Sequence, residues 1–106
     1  MRIRILSAAS RDLLQGKRFY EKQADGLGDY FLDSLFSDID SLIVYAGIHR
    51  KIRGYFCLLA KRFPYAIYYR IESKEIRIYR LLDCRQDPTK AMRALPIREQ
   101  DKGENA

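Results

Sequence analysis

Alternating polar and apolar residues predict a β-hairpin in the second half of the chain. Residues 65–71 and 75–82 are rich in aromatic and β-branched side chains, and a short polar segment joins them. The continuous apolar run over residues 55–60 predicts another strand, buried on both faces. Phe63-Pro64 begins the strand that follows, at a position where proline costs little. Tight turns between these three strands predict an antiparallel meander.

Apolar residues spaced three and four apart predict two helices in the first half. The first helix is capped by Ser7 and ends near Ala24, before the turn signal Asp25-Gly26. The second covers residues 27–45, with Gly47 as its C-terminal cap. The short connection between the helices makes them antiparallel neighbours.

The first residues complete the predicted topology. Residues 2–6 alternate basic and apolar, which predicts a strand with Ile3 and Ile5 facing inward. The order is β-α-α-β-β-β, an α+β fold in which a helical hairpin packs on one face of an antiparallel sheet. Residues 1–95 are expected to form one domain, and residues 96–106 a polar, disordered tail.

Strand periodicity also assigns side chains to the two faces of the sheet. The helix-facing set is Tyr65, Ile67, Tyr69, Ile71, Ile76, Ile78 and Leu82, and the set on the open face is Ala66, Tyr68, Arg70, Arg77, Tyr79 and Leu81. Arg80 then points toward the helices. Three explanations fit: its charged end reaches the sheet edge, a carboxylate meets it, or a β-bulge shifts the register.

Composition narrows the class of protein. At 106 residues with 47% hydrophobic content, the chain suits one folded domain. The net charge of +6 favours acidic partners such as nucleic acid or an acidic protein segment, although it also aids solubility. Two cysteines without metal or disulfide spacing suit a reducing cytosol. With no signal segment and no apolar run near 20 residues, a cytoplasmic protein without membrane attachment is expected.

Several catalytic patterns are missing from the sequence. Gly26 and Gly28 lie between helices, so they do not form a phosphate loop after a strand. His49, the single histidine, is expected in an exposed loop and has no matched nucleophile. Asp38 and Asp40 are interpreted as a solvated surface. No metal site and no cofactor are predicted.

Basic residues flank the predicted strands and alternate with tyrosines. Guanidinium groups and aromatic faces together bind phosphates and stack bases. Charge at strand ends also protects sheet edges from aggregation, so both interpretations stay open at this point. The residues predicted to bind a target or a phosphate are Arg50, Lys51, Arg53, Lys61, Arg62, Tyr68, Arg70 and Arg85.

Four segments resemble the RelE/ParE family of bacterial type II toxins. They are residues 19–23 with 26–28, Tyr45-Ala46-Gly47, the Phe-Pro-Tyr opening at residues 63–65, and residues 82–88 with their Arg-x-x-Pro ending. The resemblance covers residues 2–90. It implies the same fold, a cognate acidic antitoxin, and higher-order toxin–antitoxin assembly. RelE-like members cleave mRNA in the ribosome, and ParE-like members poison DNA gyrase.

The resemblance does not carry over the RelE-like nuclease site. Ala66 stands where those enzymes place an arginine on the middle strand, and residues 88–93 contain neither the tyrosine nor the histidine of their C-terminal helix. Arg85 matches their second arginine and is the one catalytic candidate. RNA cleavage needs a base and an acid as well as charge stabilisation. The sequence therefore favours a non-nucleolytic toxin that binds DNA gyrase, with a ribosome-dependent mRNA endonuclease and a basic nucleic-acid-binding module as alternatives.

Overall fold

The computed structural model describes residues 1–95. Its elements are β1 (Arg2–Ile5), α1 (Ser7–Glu21), α2 (Leu27–Asp40), α3 (Leu42–Tyr45), β2 (Lys51–Ile52), β3 (Tyr55–Leu59), β4 (Tyr65–Glu72), β5 (Glu75–Asp83) and α4 (Pro88–Ala94). The predicted disordered tail, residues 96–106, lies outside the described residues.

The sheet has five strands in the order β1-β5-β4-β3-β2. The predicted meander is present, with antiparallel pairing from β2 through β5. Two features differ from the prediction: β1 pairs with β5 in parallel, and β2 is an additional strand in a segment where none was predicted. Arg53 and Gly54 both have positive φ, 56° and 88°, which allows the tight reversal between β2 and β3.

The helical hairpin packs on one face of the sheet, as predicted. Gly16 on α1 leaves room for the Phe31 side chain of α2, because a Cβ at that position would lie 2.5 Å from the Phe31 ring. The core between the layers consists mainly of Ala9, Leu13, Tyr20, Phe31, Leu35, Ile39, Leu42, Phe63, Tyr65, Ile67, Tyr69, Ile76, Ile78 and Leu81. Ile3 and Ile5 pack against it, which confirms their inward orientation.

The helix ends differ in detail from the expectation. The N-cap of α1 is Leu6, and Ser7 is its first helical residue. After α1 ends at Glu21, the carboxylate of this residue accepts hydrogen bonds from the backbone N–H groups of Gly26 (3.0 Å) and Gly28 (2.9 Å), which lower its pKa. The second predicted helix divides at Ser41, whose hydroxyl donates to the Asp38 carbonyl at 2.6 Å.

A β-bulge in β5 corrects the predicted faces. Tyr69 pairs with Ile78 and Tyr68 with Arg80, so β5 has one more residue than β4 across this step. Beyond the bulge, the helix-facing residue is Leu81, and Leu82 packs on the opposite face. The assignment of Leu82 inward and Leu81 outward was therefore wrong, because strict alternation does not hold across a bulge.

Candidate functional site

Two of the three explanations for the predicted inward position of Arg80 apply together: a β-bulge shifts the register of β5, and a carboxylate meets the guanidinium group. Its Nε and Nη2 donate to the two carboxylate oxygens of Asp12 on α1, at 2.7 and 2.9 Å. The Asp12 Oδ2 also accepts the backbone N–H of Leu81 at 3.0 Å. β1 pairs with β5 only as far as Ile78, so Asp12 takes the place of a strand partner beyond that point. This pair is structural, and it fixes the end of β5 from which Arg85 projects.

The sheet face opposite the helices carries a cavity of about 220 Å³. Its floor is formed by Cys57, Ala66 and Tyr68, and Arg50 and Cys84 stand on its walls. Burial raises the pKa of the Tyr68 hydroxyl to about 12, and it also raises the pKa of the Cys57 thiol. At neutral pH both groups keep their protons, so neither acts as a general base or a thiolate nucleophile.

Asp83 is the carboxylate that lines this cavity. Its two oxygens accept hydrogen bonds from Nε and Nη2 of Arg85, at 3.0 and 2.8 Å. The Arg85 side chain thereby lowers the pKa of Asp83. A carboxylate held by an arginine in this way is a weak base, because its negative charge is already stabilised. The described lining therefore supports binding more than acid–base chemistry.

Arg85 lies away from this cavity. Its Nη2 also reaches the Tyr20 hydroxyl at 3.2 Å, which places the side chain on the side of the helical hairpin. The ion pair with Asp83 raises the pKa of Arg85, and the side chain remains 54% exposed. A second cavity of about 260 Å³ lies on this side, between α1 and the end of β5, with Tyr65 and Asp83 in its lining.

Two of the predicted contact residues are buried. The structure covers Tyr68 with the cluster that contains Leu95, and Arg70 is 7% exposed. Arg70 donates from Nη1 to the Gly54 carbonyl at 2.9 Å and from Nε to Glu72. The expectation of an open face around these residues was therefore wrong, because Leu95 packs in the cluster with Tyr68 and because Arg70 lies against the Tyr55 ring and the Gly54 carbonyl.

The other predicted cations are distributed around the sheet. Arg50, Lys51, Lys61 and Arg62 are exposed, whereas Arg53 is half-buried and donates from Nε to the Leu95 carbonyl at 2.6 Å. Lys51 lies 5.0 Å from the centroid of the Phe56 ring, on the helix side of the sheet. The structure thus separates Arg50, Lys51 and Arg85 into different surroundings instead of collecting one basic cluster.

Two carboxylates had structural roles that sequence reasoning missed. Asp38 is buried, and its Oδ2 accepts the backbone N–H of Lys61 at 3.2 Å, so its interpretation as a solvated residue was wrong. Asp12 was not selected at all, although its position three residues after Ala9 and four before Gly16 places it beside the inward stripe of α1. The predicted inward position of Arg80 was the signal that made a carboxylate partner one of three explanations.

Within residues 1–95 the structure contains neither a cluster of metal ligands nor a helix that could span a membrane. Within residues 1–95, no group of three or more histidine, cysteine, aspartate or glutamate side chains is placed to hold a metal ion. None of the helices in the same range has both the length and the hydrophobicity required to cross a bilayer.

The fold is α+β, with a helical hairpin packed on one face of a five-stranded mixed sheet. No protein-family model and no curated protein matches the chain in sequence. Among solved structures, it is similar to a chain from the chromosomal ParDE toxin–antitoxin system of P. aeruginosa, with a TM-score of 0.66. The match covers 76% of this chain and 92% of that chain, at 22% identity. The expected RelE/ParE-like fold is confirmed, and at this identity the likeness concerns the fold.

Proposed function

We propose that this chain is the toxin of a type II toxin–antitoxin module, acting in the cytoplasm and neutralised by a cognate acidic antitoxin. The fold similarity to a chain of a ParDE system is the observation that carries the proposal. The net charge of +6 supports an acidic partner, because opposite charge accelerates association and favours the correct partner. Assembly of several toxin and antitoxin chains is part of the same proposal.

The favoured target of the toxin is DNA gyrase, bound without cleavage of RNA. The lining of the described cavity supports binding without RNA cleavage, because its carboxylate, Asp83, is held by Arg85. RNA cleavage would need a base and an acid in addition to phosphate-binding charge. The exposed cations Arg50, Lys51, Lys61, Arg62 and Arg85 are the proposed contact residues. Arg53 and Tyr68, which contact Leu95 or pack in its cluster, and Arg70, which is buried against Tyr55 and Gly54, are proposed as contact residues only for a state in which these contacts have opened.

The first experiment separates the possible targets. Expression without a partner should arrest growth, and the purified protein should inhibit DNA supercoiling by gyrase while translation continues in a cell-free extract. Blocked translation with cut mRNA and unaffected gyrase would instead favour the ribosome-dependent endonuclease. Binding to DNA or RNA without growth arrest would favour the nucleic-acid-binding module.

The second experiment tests the contribution of Arg85. Arg85→Ala should abolish most of the growth arrest while the free energy of unfolding changes by about 0.5 kcal/mol or less, because the side chain is exposed and outside the core. Arg11→Ala, an exposed arginine on α1, removes the same charge and should leave toxicity unchanged. A variant at position 85 that melts far below the parent would identify a structural arginine instead.

A further inference from the structure

The corner formed by α3 and the following loop exposes an unusual number of apolar side chains. Ile43, Val44, Tyr45 and Ile48 are between 53% and 74% exposed. Single exposed apolar residues are ordinary, whereas a contiguous group of them marks an interaction site. We name this group, together with Ile71, the α3 patch.

The α3 patch extends from the loop after α3 onto strand β4. A Cβ placed on Gly47 would lie 3.5 Å from Cδ1 of Ile71 on β4, so the loop lies against that strand. The backbone N–H of Ile48 donates to the Tyr45 carbonyl at 3.3 Å, which keeps the two ends of the patch close together. Ile71 is itself 36% exposed, and it extends the apolar surface from α3 onto the sheet.

Buried contacts fix the backbone of the α3 patch on the core. Leu42, the first residue of α3, is fully buried in the core. The Tyr69 hydroxyl accepts the backbone N–H of Gly47 at 2.9 Å, and it also contacts Nδ1 of His49 at 2.5 Å. Because these anchors fix the backbone on both sides of the exposed side chains, little conformational entropy is lost when a partner binds there.

Charge and size together select the kind of partner. Lys51 stands over Phe56, whose ring stacks on Tyr69, so a cation lies beside the anchored loop. Asp40 precedes the patch in sequence, but the chain as a whole carries +6, which repels a second copy and attracts an acidic chain. A dimer of standard size uses about 20–30 residues on each side. Five apolar side chains instead match the few anchors that one amphipathic helix presents along one face.

From these observations we infer that the α3 patch binds an acidic amphipathic segment of the antitoxin. This inference rests on the proposed function for the identity of the partner. The apolar face of the segment covers Val44, Ile48 and Ile71, and its acidic face lies toward Lys51. A segment that orders on binding loses conformational entropy, and the fixed backbone of the patch keeps that loss to one side of the interface.

The test uses the full chain and, as the candidate antitoxin, the purified product of any small acidic reading frame found beside its gene. Affinity is measured by calorimetry for the wild type, Val44→Asp and Ile48→Asp, with Leu14→Asp as the matched control. Leu14 is an exposed apolar residue on α1, away from the patch, and its replacement changes the net charge by the same amount. We expect the dissociation constant to rise at least tenfold for the two patch variants and less than threefold for the control. Val44→Ser and Ile48→Ser, which add no charge, should also weaken binding.

Each other outcome has a defined meaning. A wild-type complex that the patch variants form with unchanged affinity would overturn the location and leave the proposed function standing. Failure of the wild type to bind would overturn the antitoxin as partner, and this inference with it. Sedimentation equilibrium of the chain alone tests the remaining occupant: a wild-type dimer that Val44→Asp converts to a monomer would assign the patch to a second copy and overturn the inference.

Discussion

The two faces of the sheet are buried in different ways. The helix-facing side is sealed by a continuous apolar cluster in which Phe31, Leu35 and Ile67 are fully buried. The opposite face has a smaller cluster around Tyr55 and Cys57, to which Leu95 contributes from beyond α4. Each helix of the hairpin covers the first face with a whole stripe of side chains, whereas among the described residues the second cluster receives Leu95 from the end of one short helix. We therefore expect global stability to depend on the first face and local opening to occur at the second.

The polar contacts differ in the same way. On the helix side, the buried Asp12 carboxylate pairs with Arg80 at the free edge of β5. On the other face, near the β4–β5 turn, Arg70 and Arg77 pair with Glu72, and Arg2 and Arg77 pair with Glu75. In the second network Arg2 is 83% exposed, so its pair with Glu75 contributes less to stability than a buried pair does.

The largest expected effect is on the helix-facing core. Phe31→Ala should lower the free energy of unfolding by about 3–5 kcal/mol, because the ring is fully buried and packs against Tyr20, Phe63 and Tyr65. Urea unfolding followed by circular dichroism measures the change. A loss below about 1 kcal/mol would show that the two helices repack and that this face is less specific than its burial indicates.

The next effect concerns the carboxylate at the edge of β5. Asp12→Ala should cost about 2–4 kcal/mol, because it leaves the Arg80 guanidinium and the Leu81 N–H without their acceptor. Asp12→Asn keeps an acceptor oxygen and should lose less. Lys17→Ala disrupts the exposed pair with Asp29, at 3.6 Å, and serves as the control with about 0.5 kcal/mol or less. Equal losses of unfolding free energy in Asp12→Ala and Lys17→Ala would refute a special role for Asp12.

A smaller effect is expected on the opposite face. Leu95→Ala should cost about 2 kcal/mol, at the low end for a buried leucine, because the end of α4 is able to relax into the space. Amide hydrogen exchange should become faster in α4 and β3 while the exchange of α2 stays unchanged. Uniformly faster exchange in both faces would contradict the division between a global and a local unit.

The smallest effect is the pH dependence contributed by Glu75. Hydrogen bonds from Arg2 and then Arg77 lower the pKa of Glu75 in the folded state. Its contribution to stability is therefore complete above the ordinary glutamate pKa, about 4.3, and is lost as the pH falls through the lowered folded value. The difference in unfolding free energy between the wild type and Glu75→Gln should be present at pH 7 and be lost progressively as the pH falls below the ordinary glutamate pKa. Asp33→Asn, at an exposed carboxylate on α2, controls for the loss of one negative charge, and a parallel pH profile for both variants would refute the assignment.

The local pattern was sufficient to predict most of the elements. Periods of two and of three to four residues are set by backbone geometry, so the strands around Tyr69 and Ile78 and the stripes of α1 and α2 were identified without tertiary information. The two-residue strand β2 was missed because so short a segment has no measurable period. The bulge at β5 was missed as a definite feature because alternation continues unchanged in the sequence through Tyr79.

The candidate site was less predictable than the fold. The sequence correctly located exposed cations at Arg50, Lys51, Lys61, Arg62 and Arg85, but it placed Tyr68 and Arg70 on an open face. Tyr68 packs in the same cluster as Leu95, which lies more than 20 residues further along the chain, and Arg70 is held by the Gly54 carbonyl and the Tyr55 ring, so exposure is decided by such distant contacts. The binding role of the exposed cations stays a prediction.

The sequence by itself determined the order of the main elements and the inward stripes, and it left three explanations open for Arg80, because each inference depends on neighbours within a few residues. Only the tertiary structure decided which partner was used. Asp12 and Arg80 are 68 residues apart, and Arg53 and the Leu95 carbonyl are 42 apart. The sequence periods cannot specify pairings at such separations, because many carboxylates and carbonyls are chemically equivalent candidates. Packing the helical hairpin against a bulged strand is what brings one of them within 3 Å.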